Sequence, residues 1–243
     1  MSKTSQGFKN TVKFLADTAW VVVVVLLLVP KVFSYFDVSS WLQSPLGTTM
    51  FMAAMYGVSA LVVLLPFFIR GLTWKEILGR LGLWKRPELR MVPWVLFLYG
   101  LYIVVSLALV AVVMSLNLPG VDLAQPQENG FEGVRQWHEL VAAFVALVVL
   151  APVFEEIIFR GYLFGQLRRR AGFVVSALVT SLVFAVVHLQ LNVGLDVFAL
   201  SLMMCVARER FDSIYPTILM HMFKNLLAYM LLFILPLYGV NLV

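Results

Sequence analysis

The sequence predicts an all-α fold, a polytopic bundle of membrane-spanning helices, and three observations carry that prediction. Of 243 residues, 62% are hydrophobic and only 13% charged, with a mean hydropathy of +0.94, a balance foreign to soluble domains of this length. The apolar residues fall in stretches long enough, or nearly so, to cross a hydrocarbon layer about 30 Å thick at about 1.5 Å per helical residue. The Lys and Arg residues flank those stretches, so the net charge of +5 reads as topology and not as a nucleic-acid footprint. A single membrane-embedded helical domain over residues 1–243 is expected, with no soluble module.

Seven spans are expected, at about 15–36, 49–69, 91–116, 139–168, 172–190, 193–207 and 214–236, with an eighth left open because boundaries are the least determined part of a span assignment. The first, WVVVVVLLLV behind Lys3, Lys9 and Lys13, resembles a signal peptide, but PKVFSYF after it offers no small-residue cleavage pattern. Lys31 at its far end is placed to snorkel. After the second span, RGLTWKEILGRLGLWKRP (70–87) mixes basic residues with Trp74 and Trp84, as an interfacial segment does. The later spans carry, in order, FEEIIFR, SLVFAVVHLQ, the only cysteine (Cys205) and HMFKN. A lone Cys205 excludes an internal disulfide and is expected as a small core hydrophobe.

Charge orients these spans. Residues 1–17 hold three Lys or Arg, 70–90 six, 168–170 three and 208–210 two, all on one side if the spans alternate. The opposite connections hold only Asp37 in 37–48, and Asp122, Glu128, Glu132 and Glu139 against Arg135 in 117–139. The positive-inside rule then makes the basic side, and the N-terminus, cytoplasmic. The chain's length and its lack of an organelle-targeting tail point to a prokaryotic plasma membrane, with the endoplasmic reticulum as the alternative.

Ionisable side chains inside spans cost about 2.5–3.5 kcal/mol each on the insertion scale, so each is a functional candidate. The set is Glu155, Glu156, Arg160, His188, Asp196, His221 and Lys224, with Asn225 as a neutral companion. Glu156 and Arg160 are i and i+4 and can neutralise each other. Glu155 points about 100° away and is left without a local partner. By itself such a triplet also suits an ion-pair cluster between helices. The histidines change the balance: Phe184 and His188 share a face, as do His221 and Asn225. Glu155 lies 13 to 15 residues before Arg168–Arg170 and His188 lies 18 residues after them, part of which is spent turning, so the two reach similar depth. Lys224 either snorkels or pairs with Asp196. His138, at a span edge, is expected to be interfacial.

A carboxylate and a neutral imidazole can activate water for attack on a carbonyl while a second His and an Asn donate to the oxyanion. Equally, Glu155, His188 and His221 could bind zinc and leave a position for water; spacing does not separate the two. A serine mechanism on Ser181 and His188 lacks a GxSxG-like turn, an aspartyl one needs a second intramembrane aspartate beside Asp196, and a proton-relay transporter would show paired halves that are absent here.

FEEIIFRGYLFGQL, FAVVH and PTILMHMFKN, the last led in by RERFDSIYP, resemble the EExxxR, FxxxH and HxxxN motifs of the CPBP family, the CAAX proteases and bacteriocin-processing (Abi) enzymes. The likeness covers roughly 139–232, the expected catalytic core. It implies an intramembrane endopeptidase in which Glu155 and His188 activate water and His221 and Asn225 stabilise the oxyanion. Glu156 and Arg160 would form a supporting pair beside Phe184. It implies a metal-free, glutamate-dependent reaction without a cofactor, because an oxygen-rich set with an amide is a mediocre zinc site; a zinc-dependent version on Glu155, His188 and His221 is the alternative. A non-catalytic membrane scaffold is the rival from another class. The implied partners are a peptide or prenylated protein substrate and the lipid bilayer, with no nucleic acid; oligomeric state is left open. A prenylated C-terminal tail suits a cytoplasm-facing site, and a leader or signalling peptide suits the residues equally.

Overall fold

The computed structural model describes residues 3–39, 41–116, 123, 130–131 and 133–239, and among these no residue is in a strand. In chain order the helices are α1 (Lys9–Phe33), α2 (Pro45–Ile69), α3 (Trp74–Leu81), α4 (Met91–Ser115), α5 (Trp137–Arg168), α6 (Phe173–Val186), α7 (Leu191–Phe211) and α8 (Tyr215–Tyr238). Six of them, all except α3 and α6, are long and apolar enough to cross a membrane. The chain is therefore an integral, multi-pass membrane protein. Side chains such as Leu61, Phe97, Val104, Leu107 and Leu182, exposed in mid-helix, belong against lipid.

The span expected at 172–190 differs from its expectation. Its helix has 14 residues, about 21 Å at the α-helical rise and short of a hydrocarbon layer of about 30 Å. The backbone leaves the helix at Val187, and Leu189 takes a left-handed conformation at φ 57°, which no α-helix accommodates. Among the described residues, the seven expected spans correspond to six helices long and apolar enough to cross a membrane and one shorter apolar helix that ends in a turn.

Helix α7 packs against α6, α4 and α8, while α5 packs against α2, α8, α1 and α6. These contacts gather the basic connections at one end of the bundle. There Arg168 reaches Glu209 at 2.9 Å, Lys85 reaches Asp212 at 3.2 Å and Arg70 reaches Asp17 at 4.0 Å, with Arg170 paired to the same aspartate. The expected interfacial segment becomes α3, started by a capping box between Thr73 and Glu76 and stopped at Gly82. Gly82 has φ 75°, the left-handed conformation that favours glycine, and a Cβ there would stand 2.8 Å from the Arg208 guanidinium carbon, which would have to shift. At the other end, Thr49 donates to the Ala142 carbonyl at 2.9 Å, and Phe131 is buried with Tyr229 and Phe233. Asp122, Glu128 and Glu132 lie outside the described residues.

Lys31 stacks its ammonium 4.9 Å from the Tyr35 ring, consistent with snorkelling. Cys205 is fully buried in the core.

Candidate active site

Helix α5 is not a uniform α-helix. It widens to π-helix over Val145–Leu150 and again over Ile157–Phe164, leaving Ala151–Glu156 as the α-helical piece between. π-helical widening is rare and collects at functional sites. In the first widened stretch the Ala151 N–H bonds back to the Ala146 carbonyl, five residues earlier. The Leu147 carbonyl would by that register take its hydrogen from residue 152, which is proline and has none. Asn225 supplies the missing donor, its amide nitrogen 2.8 Å from the Leu147 oxygen. One hydrogen of the Asn225 amide is thereby committed to α5, and the other remains for a ligand.

Glu156 and Arg160 form the expected i, i+4 pair at 2.8 Å, both side chains fully buried. The pair reaches further than its own helix. The same Glu156 oxygen lies 3.0 Å from His221 Nδ1 on α8, and the Arg160 guanidinium sits 4.4 Å over the Phe184 ring from α6. Since Glu156 is engaged by a guanidinium, it serves as an acceptor, so Nδ1 of His221 carries hydrogen and Nε2 faces away. That Nε2 is 3.8 Å from a Glu155 oxygen.

Phe184 acts through both ring and backbone. Its ring meets His188 edge-on at 4.9 Å and His221 at 5.9 Å. Its carbonyl receives His188 Nδ1 at 2.7 Å. A carbonyl can only accept, so His188 Nδ1 is the protonated nitrogen and Nε2 keeps its lone pair. His188 lies in the turn after α6 and not on the helix, yet the bond to Phe184 preserves the expected four-residue relation.

Glu155 has a partner that sequence reasoning missed. The Tyr56 hydroxyl on α2 donates to it at 2.9 Å. Tyrosine is ordinary in a greasy helix; its depth, 11 residues inside α2 and below the interfacial belt, was the available signal. Asp196, expected as a possible partner of Lys224, does pair with it at 3.5 Å, and also accepts from Tyr102 at 2.6 Å and Ser106 at 3.1 Å on α4.

Glu155, His188, His221 and Asn225 all line one cavity of about 430 Å³ walled by α2, α5, α7 and α8, together with Tyr56 and Lys224. A second, apolar chamber of about 300 Å³ adjoins it, sharing Tyr56, Glu155 and His188 and lined further by Val25, Met55 and Ile158. His138 stays apart, at the start of α5, against the Trp137 ring at 5.8 Å. Among the described residues, no group of three His, Cys, Asp or Glu side chains stands in an arrangement that could hold a metal ion.

Residues 137–227, which run from the start of α5 to the middle of α8, match the family model described as type II CAAX prenyl endopeptidase Rce1-like. The match is consistent with the CPBP family and supports an intramembrane endopeptidase, a hydrolase of peptide bonds. Searches of curated proteins and of solved structures returned no match.

Proposed function

We propose that the protein is an intramembrane endopeptidase of CAAX-protease type that hydrolyses a peptide bond by glutamate-activated water, without a covalent intermediate or a cofactor. The observation that carries this reading is the convergence of Glu155, His188, His221 and Asn225, from three separate segments, on one cavity.

In the reaction, water sits between Glu155 and His188. His188 Nε2, unprotonated because Nδ1 is committed to Phe184, accepts one of the water's hydrogens and orients it. Glu155 takes the other as the oxygen adds to the peptide carbonyl. Tyr56 fixes the Glu155 carboxylate by bonding Oε1, which leaves Oε2 for the proton. Glu156 holds His221 through Nδ1 and turns its Nε2 towards the oxyanion, and the second Asn225 N–H completes the oxyanion site. Collapse of the tetrahedral intermediate breaks the C–N bond, and Glu155 returns its proton to the leaving nitrogen. Glu156, Arg160 and Phe184 are positioning residues, since they touch the histidines and not the reacting atoms.

The test is hydrolysis of a peptide library in detergent by the purified protein and by Glu155→Ala, each with and without a chelator. Activity that survives chelation and disappears in Glu155→Ala is the expected result. Loss of wild-type activity on chelation would revive a zinc reaction, and absence of cleavage by the wild type would favour a scaffold.

A further inference from the structure

The two ends of the bundle are not equally open to the site. Towards the basic end, α5 continues from Glu155 through Ile158, Phe159, Arg160, Tyr162, Leu163, Phe164 and Leu167, each at most 2% exposed. Helix α3 lies across that end, with Ile77 and Leu81 equally buried. Its fit is close: a Cβ on Gly161 would stand 3.0 Å from Leu81 Cδ2, and one on Gly165 would stand 3.3 Å from the Arg80 carbonyl. Packing of this density narrows that route, and the pocket of about 230 Å³ at the basic end, whose lining includes Arg80, Phe164, Gly165 and Arg208, shares no residue with the catalytic cavity.

Towards the other end the catalytic cavity runs outward past Leu147, Phe233 and Thr48 to Leu42 and Gly130, which lie in the connections before α2 and before α5 and are exposed. Among the described residues, none that lines the cavity comes from the basic connections 70–90, 168–172 or 208–214. The short α6 contributes to this asymmetry: its turn at His188 stops part-way along the bundle, so the site lies at the bottom of a vestibule and not at its rim.

Charge supplies the direction. The connections gathered at the packed end hold six, three and two Lys or Arg residues, the pattern of a cytoplasmic face. We propose that the substrate is a peptide presented at the extracytoplasmic face, entering between the connections of Leu42 and Gly130 and descending to Glu155. Resting on the hydrolase reading above, this assigns the site a leader of an exported peptide or the extracytoplasmic flank of a membrane segment, and not the tail of a cytosolic protein. The apolar chamber beside Glu155 then receives the substrate's apolar side chains at membrane depth.

The chain has one cysteine, fully buried, so single reporter thiols can be placed at Leu42→Cys (mouth), Ala228→Cys (cavity wall) and Arg86→Cys (basic end). A membrane-impermeant maleimide applied to intact right-side-out spheroplasts is expected to label the mouth and the wall, and to label Arg86→Cys only after lysis. Labelling of Arg86→Cys alone in intact spheroplasts would overturn the orientation. Labelling of Leu42→Cys but not Ala228→Cys from outside, with Ala228→Cys labelled only after lysis, would overturn the route. Modification of Ala228→Cys from outside should abolish peptide cleavage measured afterwards in detergent. A protein that labels as expected yet cleaves no peptide in detergent separates the two ideas: the orientation stands and the hydrolase reading falls.

Discussion

Tyr56 and Asn225 show how single side chains hold the site, and each yields a prediction. Removing the Tyr56 hydroxyl (Tyr56→Phe) takes away a hydrogen bond to a charged group, worth about 1.5–3 kcal/mol. If that stabilisation positions Glu155 for attack, kcat should fall by roughly 10- to 100-fold with KM little changed, while thermal stability in detergent moves much less than activity. Asn225→Ala orphans the Leu147 carbonyl and should lower stability by about 1–3 kcal/mol. Pro152→Ala restores an N–H in the register that Leu147 requires, so the double variant should be less destabilised than Asn225→Ala alone; equal or greater loss would refute the proline account. The catalytic candidates themselves were legible from the sequence, because an ionisable group in an apolar run is conspicuous by its insertion cost. Tyr56 was not, since its function depends on which helix faces Glu155.

At the scale of elements, α7 and α8 are joined to α4 by a polar cluster of Lys224, Asp196, Tyr102 and Ser106. The ion pair is partly exposed, with side chains 19% and 31% accessible, so its loss is worth less than that of a fully buried pair. Asp196→Asn should lower stability by about 1–2 kcal/mol by leaving Lys224 uncompensated, and Lys224→Met should recover part of that loss in the double variant. Thermal denaturation of the two single variants and the double variant forms the cycle that decides it. The sequence offered this pair as one of two fates for Lys224, because 28 residues and a helix reversal separate the partners. Asp17 went unremarked for a related reason. It sits at the edge of the first expected span, in the stretch counted with the basic N-terminal residues, yet the helix there begins at Lys3, upstream of the spanning part, and buries Asp17 against Arg170 and Tyr162.

Across the whole molecule, the basic end is clasped by ion pairs that join four connections, and this is where pH should act. Asp212 loses hydration at its turn, which raises its carboxyl, but hydrogen bonds from Arg208 and Lys85 lower it by more, so it lies below its ordinary value. A carboxyl depressed in the folded state contributes stability that is present above its unfolded value of about 3.9 and is lost as pH falls through the folded value. Stability in detergent should therefore drop on acidification below about pH 4, and Asp212→Asn should remove part of that acid-dependent loss while lowering stability at neutral pH. Asp17→Asn leaves Arg170 facing Arg70 without a carboxylate, and should cost roughly 3 kcal/mol, the scale of breaking a buried pair from one side. A denaturation midpoint unchanged from wild type would show that the clasp is incidental.

By itself the sequence determined the helical class, the membrane setting, the placement of the apolar segments and the residues out of place within them. Those properties follow from composition and spacing, which a hydrocarbon solvent reads directly. Only the tertiary structure decided that α6 stops short, that Tyr56 meets Glu155, that Asn225 repairs the carbonyl left bare by Pro152, and that the cavity runs away from the basic connections. Each of these depends on which surfaces of distant helices come together, and helix periodicity carries no information about a partner that lies on another segment.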